Sequence, residues 1–221
     1  MEIFIKYWPL IFSGLVVTIR ICIIAIGLGL IAGLGIALLR RVKLAPVNWG
    51  CKVYIELFRG TPFLIQLFLL YYVAPNFGLM LEPELAGIVG LTLYGAAYFA
   101  EIFRSGLESI HKGQVEAAAS LGIGRMHTFR KIIFPQLTVL IIPPSINQAI
   151  TLLKDSAVLS IITVPELTKI TTRIINESFA TTEPLIILGL LYWMLAEIMS
   201  FAGARLEKRF TRYLRPTTIE P

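Results

Sequence analysis

"ICIIAIGLGLIAGLGIALL", residues 21–39, admits two readings that lead to unlike molecules. Gly27, Gly29 and Ala32 fit the spacing G-x-G-x-x-A of a dinucleotide-binding turn. That turn needs a strand before the glycines and a helix starting at them. Here the glycines lie inside an uncharged run that continues apolar on both sides. At 1.5 Å rise per residue, about 20 apolar residues cross about 30 Å of hydrocarbon. The stretch therefore reads as a membrane helix. Gly29 and Gly33 become a GxxxG, with Gly35 nearby, that lets a second helix approach closely. An all-α integral membrane protein follows from that choice.

The rest of the chain agrees. Of its 221 residues 56% are hydrophobic and 15% charged, with a mean hydropathy of +0.76; a soluble domain carries about 25% charged residues. Four more stretches are long and apolar: Phe63 to Leu81, Leu85 to Ala100 with an extension to Phe103, Ile132 to Leu153, and Pro184 to Ala204. With their flanks, five spans are predicted at about 10–39, 57–81, 84–105, 132–154 and 184–206, and a loop at 106–131. Residues 3–19 either prolong the first helix or lie along the outer interface, with Arg20 snorkelling between the two. The first span is too long, and lacks the small-residue cleavage site, to be a signal peptide. The segment "AVLSIITVPELTKITTRIINESFATTEP", 157–184, is too polar to cross. Val164-Pro165-Glu166 in it resembles a helix start, which predicts a short outer helix partly packed into the bundle. No repeat or linker divides the chain, so 1–221 reads as one domain.

The cations fix the orientation. Arg40, Arg41, Lys43, Lys52 and Arg59 follow the first span. Arg104, Lys112, Arg125, Arg130 and Lys131 lie between the third and fourth, and Arg205, Lys208, Arg209, Arg212 and Arg215 follow the fifth. These three groups of five hold most of the 20 Lys and Arg, and the positive-inside rule makes their side cytoplasmic. The N-terminus is then outside and the C-terminus inside. The net charge of +6 is topological and needs no nucleic acid.

Little else points to chemistry. Cys22 lies in an apolar run and Cys51 in a basic loop, which argues against a disulfide. His111 and His127 have no ligands at metal-binding spacing. The motifs G-x-x-x-x-G-K-[ST], G-x-S-x-G and H-E-x-x-H are missing, so the chain is expected neither to hydrolyse ATP by itself nor to hold a cofactor.

Two polar stripes remain. Tyr94, Tyr98, Glu101 and Ser105 share one helical face of the third span, and Asn147, Thr151, Lys154 and Asp155 share one of the fourth, with Ser156 adjacent. Polar groups inside spans usually face a cavity, so the stripes could line a pathway. Alternatively Glu101 pairs with Arg104 and Lys154 with Asp155 as structural glue.

The connection "EAAASLGIGRMHTFRKIIFPQ", 116–136, begins as a short helix at Glu116, where a negative side chain suits the dipole. Ala117, Ala118 and Ala119 give it a smooth face, and Gly122 and Gly124 can end it with positive φ. A surface helix joining two spans would look the same. Upstream, Arg59 marks a membrane edge, and Gly60-Thr61-Pro62 makes a break from which Pro62 opens a new helix.

Glu116-Ala117-Ala118, Gly122, Ile132 and Pro135 resemble the EAA loop of ABC transporter permeases, with Phe134 where that family usually has Leu. "RGTP" at 59–62, "AAYFAEIFRSGLESIHKGQ" at 96–114 and "LLKDSA" at 152–157 are similar to its polar amino-acid uptake branch, although Tyr94 replaces a common Asn and Ala157 a common hydroxyl. The resemblance implies that Glu116, Ala117, Ala118 and Gly122 form a cytoplasmic coupling helix docking on a separate ATPase subunit, which uses the ATP. It also implies a homo- or heterodimer of permease chains, an extracytoplasmic amino-acid-binding protein and a bacterial plasma (inner) membrane. For an amino-acid solute, Asp155 is the candidate ammonium acceptor, with Asn147, Thr151, Ser156, Tyr98 and Glu101 as further substrate contacts. A secondary transporter or channel for a small polar solute is the alternative, and it would favour an inverted repeat, of which the sequence shows none. An intramembrane enzyme would show a paired nucleophile and base.

Overall fold

The quoted stretch lies inside one unbroken helix, α1 (Glu2–Leu39, 38 residues), about 57 Å long at 1.5 Å per residue. The computed structural model describes residues 2–42 and 44–211; Lys43, Arg212 and Arg215 of the charge argument lie outside the described residues. Residues 3–19 thus prolong the first helix, and Arg20 does more than snorkel: its guanidinium meets Glu84 at 2.6 Å.

Small residues dictate how the bundle closes. The central helix, to be numbered α4 (Pro83–Glu108), buries Ala86, Gly90, Gly95, Ala96, Ala100 and Gly106. A Cβ on Gly33 of α1 would lie 2.6 Å from Phe99 Cβ and 2.9 Å from the Ala100 nitrogen. A Cβ on Gly29 would also meet Phe99, at 3.4 Å, whereas one on Gly27 or Gly35 would meet nothing within 4 Å. The GxxxG reading therefore holds for Gly29 and Gly33, and Gly35 adds no close approach.

Between α1 and α4 the break expected at Gly60-Thr61-Pro62 is present, and the span expected at 57–81 follows a bent path. Helix α2 (Ala45–Gly60) and α3 (Phe63–Phe68) meet at Gly60-Thr61-Pro62, and the path bends there by 110°. Helix α3 then passes into a π turn (Leu69–Val73) and a 3-10 turn (Ala74–Phe77). Pro62 and Pro75 lack the N–H that a continuous helix needs. Among the described residues four helices are long and apolar enough to cross a membrane, and the bent pair adds a fifth if it forms one broken span rather than a re-entrant loop.

Beyond α4 come α5 (Lys112–Ser120) and α6 (Arg125–Thr128). A π turn (Phe129–Ile133) joins α6 to α7 (Phe134–Asp155), which ends in a 3-10 stretch to Ile162. The helical path therefore starts before the predicted Ile132. Helix α8 (Leu167–Ser178) buries Leu167, Ile170 and Ile174, and α9 is Thr182–Thr211. Gly14 of α1 contacts Ile170, so α8 packs into the bundle near the N-terminal half of α1, as its sequence implied.

Contacts along the helices give their directions. Gly106 of α4 meets Ile141 of α7, and Gly95 meets Leu152, so these two run antiparallel. Gly203 of α9 meets Ile146 while Tyr192 reaches Glu166 at 2.9 Å, so α9 runs antiparallel to α7 and shares the direction of α1 and α4. The C-terminal ends of α1, α4 and α9 come together at one end, and the described members of the three basic groups lie there or on the segments that start from it.

Candidate pathway and coupling helix

The α4 stripe exists as a row that is half-buried from Tyr94 to Glu101 and exposed at Ser105. The hydroxyls of Tyr94 and Tyr98 are 3.3 Å apart, and the Phe63 ring lies 5.2 Å from that of Tyr94. The break before α3 carries Arg59 back over α4, with its guanidinium 5.4 Å from the centre of the Tyr98 ring. Glu101, one turn along, is held by three arginines. Arg104 bonds both of its carboxylate oxygens, Arg40 of α1 donates at 3.3 Å, and Arg59 of α2 lies at 3.9 Å. The pairing of Glu101 with Arg104 considered as structural glue is thus present, and it extends to three helices.

Arg59, Tyr98, Glu101 and Ser105 line a cleft of about 370 Å³ with Leu140 and Pro144 of α7. Pro143 and Pro144 sit inside α7. Having no N–H, they leave the Val139 and Leu140 carbonyls without their usual helical donors. Beyond Pro144 the same face of α7 continues through Asn147, Thr151 and Asp155. Asn147 and Thr151 are exposed, and Thr151 donates back to the Asn147 carbonyl at 3.0 Å. Because α4 and α7 are antiparallel, Asp155 comes level with Tyr94 and lies within its electrostatic reach. The two stripes form one seam, from the arginine cluster to Asp155.

Asp155 does not pair with Lys154. Lys154 is exposed and no ion pair joins the two, while Asp155 Oδ2 is buried without a hydrogen-bond partner. Ser156 stands apart from the seam. It is wholly buried and donates to the Leu153 carbonyl at 2.7 Å, so its hydroxyl does not reach solute from that position.

The helix after α4 begins earlier than its sequence suggested. His111 caps α5, its Nδ1 accepting from the Gly113 amide at 3.2 Å, so Glu116 lies in mid-helix. Glu116 and Ala117 are exposed and Ala118 is buried. The far end closes as expected at Gly122, φ +72°. The Ile123 amide bonds the Ala118 carbonyl at 2.9 Å and the Gly122 amide that of Ala119 at 3.0 Å, the paired closure that a left-handed residue permits. Gly124 has φ −61° and starts α6 instead.

Sequence reasoning missed the tie between α5 and α7. Gln114 and Gln136 exchange reciprocal amide hydrogen bonds of 3.0 and 2.7 Å, and Gln136 also donates to the Ile132 carbonyl at 2.8 Å. Glutamines 22 residues apart follow no helical period, so no local signal marked them. It also missed the buried cap of α8. Glu166 is fully buried, accepts from the Thr168 and Lys169 amides at 2.8 and 2.7 Å, and accepts from Tyr192. Burial pushes its carboxyl above the ordinary range, with those donors pulling back.

Comparison with known proteins gives a consistent picture. Residues 7–212 match the family described as binding-protein-dependent transport system inner membrane component. The chain is 37% identical over 210 residues to the probable amino-acid ABC transporter permease protein YckA of Bacillus subtilis, covering 95% of this chain and 93% of that one. It is 34% identical to the arginine transport system permease protein ArtQ of the same organism, covering 91% and 92%. Among solved structures, an amino acid ABC transporter crystallised with histidines matches with a TM-score of 0.86 and 36% identity, over 93% of this chain and 96% of that one. The methionine transporter MetNI matches with 0.76 at 22% identity, a likeness of fold.

Proposed function

The chain belongs to the family of binding-protein-dependent transport system inner membrane components, and on that footing we propose that it forms the pathway for a polar amino acid across a bacterial plasma membrane. It is a multi-pass membrane permease subunit of an importer and works with ABC transporter partners. The finer reading is a dimer of permease chains, fed by an extracytoplasmic binding protein and driven by a separate ATPase that alone uses ATP. The N-terminus lies outside, and residues 1–221 act as one membrane domain. Relatives named for arginine and cystine transport support the solute class.

The observation that carries this reading is mechanical continuity. Helix α5, with Glu116, Ala117, Ala118 and Gly122 on or beside it, is tied by Gln114 and Gln136 to α7, and α7 carries Asn147, Thr151 and Asp155 along the seam. Displacing α5 displaces that polar face against Tyr94 and Tyr98. An unpartnered carboxylate oxygen at Asp155 suits a solute ammonium. Glu101, held by arginines, meets solute only by exchanging one of them.

The test is Asp155→Asn, which keeps the shape and loses a charge-assisted bond worth about 1.5–3 kcal/mol, roughly ten- to a hundredfold in the KM for uptake. Thermal stability in detergent and basal ATPase rate should hold, since Lys154 loses no partner. An unchanged KM with a large fall in stability would remove Asp155 from the solute path.

A further inference from the structure

A second cleft lies away from the seam, at the corner where α1 ends, α2 begins and α4 ends. It has a volume of about 260 Å³, and its lining includes Arg40, Arg41, Trp49, Lys52, Arg104 and Glu108. Four cations thus face one carboxylate. Glu108 is spent on Arg104, and Arg40 is shared with Glu101 at 3.3 Å. Arg41 has no ion pair among the described residues, and Lys52 has only an exposed contact to Glu56 at 3.6 Å, a kind worth at most about 1 kcal/mol. The pocket therefore holds two cations, Arg41 in the turn after α1 and Lys52 on α2, that its own carboxylate does not compensate.

The surroundings are those of a membrane surface. Trp49 is 70% exposed, and with Val53 and Leu57, both also exposed, it makes one stripe along α2 at i, i+4 and i+8. An exposed Trp beside cations is the side-chain set found at headgroup level, and basic pockets between helices on the positive side accept lipid phosphates. An α-amino acid offers no phosphate to such a pocket, and Arg104 and Arg40 screen it from the seam through Glu101. The solute path does not explain the cleft.

We propose that this corner binds the phosphate of an anionic phospholipid, with Arg41 and Lys52 as the phosphate contacts and the Trp49–Val53–Leu57 stripe against the acyl chain. Arg40 and Arg104 hold the pocket open as parts of the Glu101 cluster. A bound headgroup would pin α2 to α1 and α4, and so fix the position from which Arg59 reaches over Tyr98.

The experiment uses the whole transporter in detergent. Thermal shift is recorded with short-chain phosphatidylglycerol, short-chain phosphatidylcholine or inorganic phosphate, for the wild type, Arg41→Gln/Lys52→Gln and the control Arg205→Gln/Lys208→Gln. The control removes two cations from the same end of the bundle. The expected result is stabilisation by phosphatidylglycerol alone, with its apparent affinity at least tenfold weaker in Arg41→Gln/Lys52→Gln and unchanged in the control. Equal stabilisation by inorganic phosphate, lost in the same variant, would keep the phosphate site and overturn the lipid as its source. Equal lipid response in all three proteins would overturn the site. So would loss of ATPase co-purification in Arg41→Gln/Lys52→Gln with lipid response intact, which would make the corner a protein contact. If that variant does not fold, Arg41→Lys/Lys52→Arg, which keeps both charges, against Lys52→Gln alone decides the same question.

Discussion

Replacing Gln114 with Met removes the only side-chain hydrogen bonds found between α5 and α7 among the described residues, while keeping length and helix propensity. Two neutral bonds of 3.0 and 2.7 Å are lost. Each contributes about 0.5–1.5 kcal/mol net, so the pair is worth about 1–3 kcal/mol. Gln136 keeps its bond to the Ile132 carbonyl, so α7 itself should stay intact. If the pair serves to orient α5, the population of correctly posed α5 falls roughly five- to a hundredfold. The loss should then appear in coupling rather than in folding.

The assay is amino-acid uptake into proteoliposomes per ATP hydrolysed, for Gln114→Met, Gln136→Met and the double variant. Each single variant should lower the ratio, and the double should be little worse than the more damaging single, because either change already breaks the pair. That non-additivity marks a direct interaction. Effects that simply add would refute the tie. So would a normal ratio in both single variants.

The other expectations follow from single positions. Gly33→Leu places a side chain where a Cβ alone would be 2.6 Å from Phe99; α1 and α4 must part, and the melting temperature in detergent should fall by several degrees with a cost of about 1–3 kcal/mol. Gly122→Asp meets open space within this chain but keeps φ +72°, so stability should drop by only about 1 kcal/mol while ATPase co-purification is lost; normal transport by this variant would dismiss α5 as the docking element. For Glu166 the sign is set by burial, which raises the carboxyl pKa in the folded chain. The folded state therefore holds its proton more tightly than the unfolded one, and stability falls as pH rises from the ordinary carboxylate range through the raised folded value. Glu166→Gln should flatten that dependence in melts run across pH.

How far the sequence announces this structure depends on the range of each signal. The uncharged run at 21–39 and the positions of Gly29 and Gly33 give the α1–α4 contact, because lipid leaves small residues as the means of close approach. Gly60-Thr61-Pro62 announces a break, yet only tertiary packing reveals that α2 turns by 110° to set Arg59 over Tyr98. The end of α5 is legible because Gly122 supplies a backbone conformation that other residues rarely adopt. Its start is not, because His111 is an uncommon cap. Stripe periodicity places Asp155 and Tyr98 along the seam, whereas Ser156, named only as the neighbour of Asp155, is buried against the Leu153 carbonyl. The helix changes to a 3-10 path at Ser156, and the 3.6-residue period no longer applies.

The two ends of the seam differ in what a passing solute can find there. At the arginine end Glu101 is already engaged by three guanidinium groups, and a solute ammonium would have to displace a partner already in place. At the other end Asp155 has an oxygen without a donor, within electrostatic reach of Tyr94. A zwitterion entering from the Asp155 end can therefore place its ammonium at once and point its carboxylate along the seam. Along the seam towards Glu101, Arg59 lies over Tyr98. Moving the carboxylate towards Arg59 weakens the hold of Arg59 on Glu101, already the longest of the three at 3.9 Å. If solute follows this seam, Arg59, with the longest of the three ion pairs, is the arginine expected to exchange partners, and Arg40 and Arg104 are expected to keep Glu101 in position. Accordingly, Arg59→Gln should impair uptake more than it impairs stability, whereas Arg104→Gln should do the reverse.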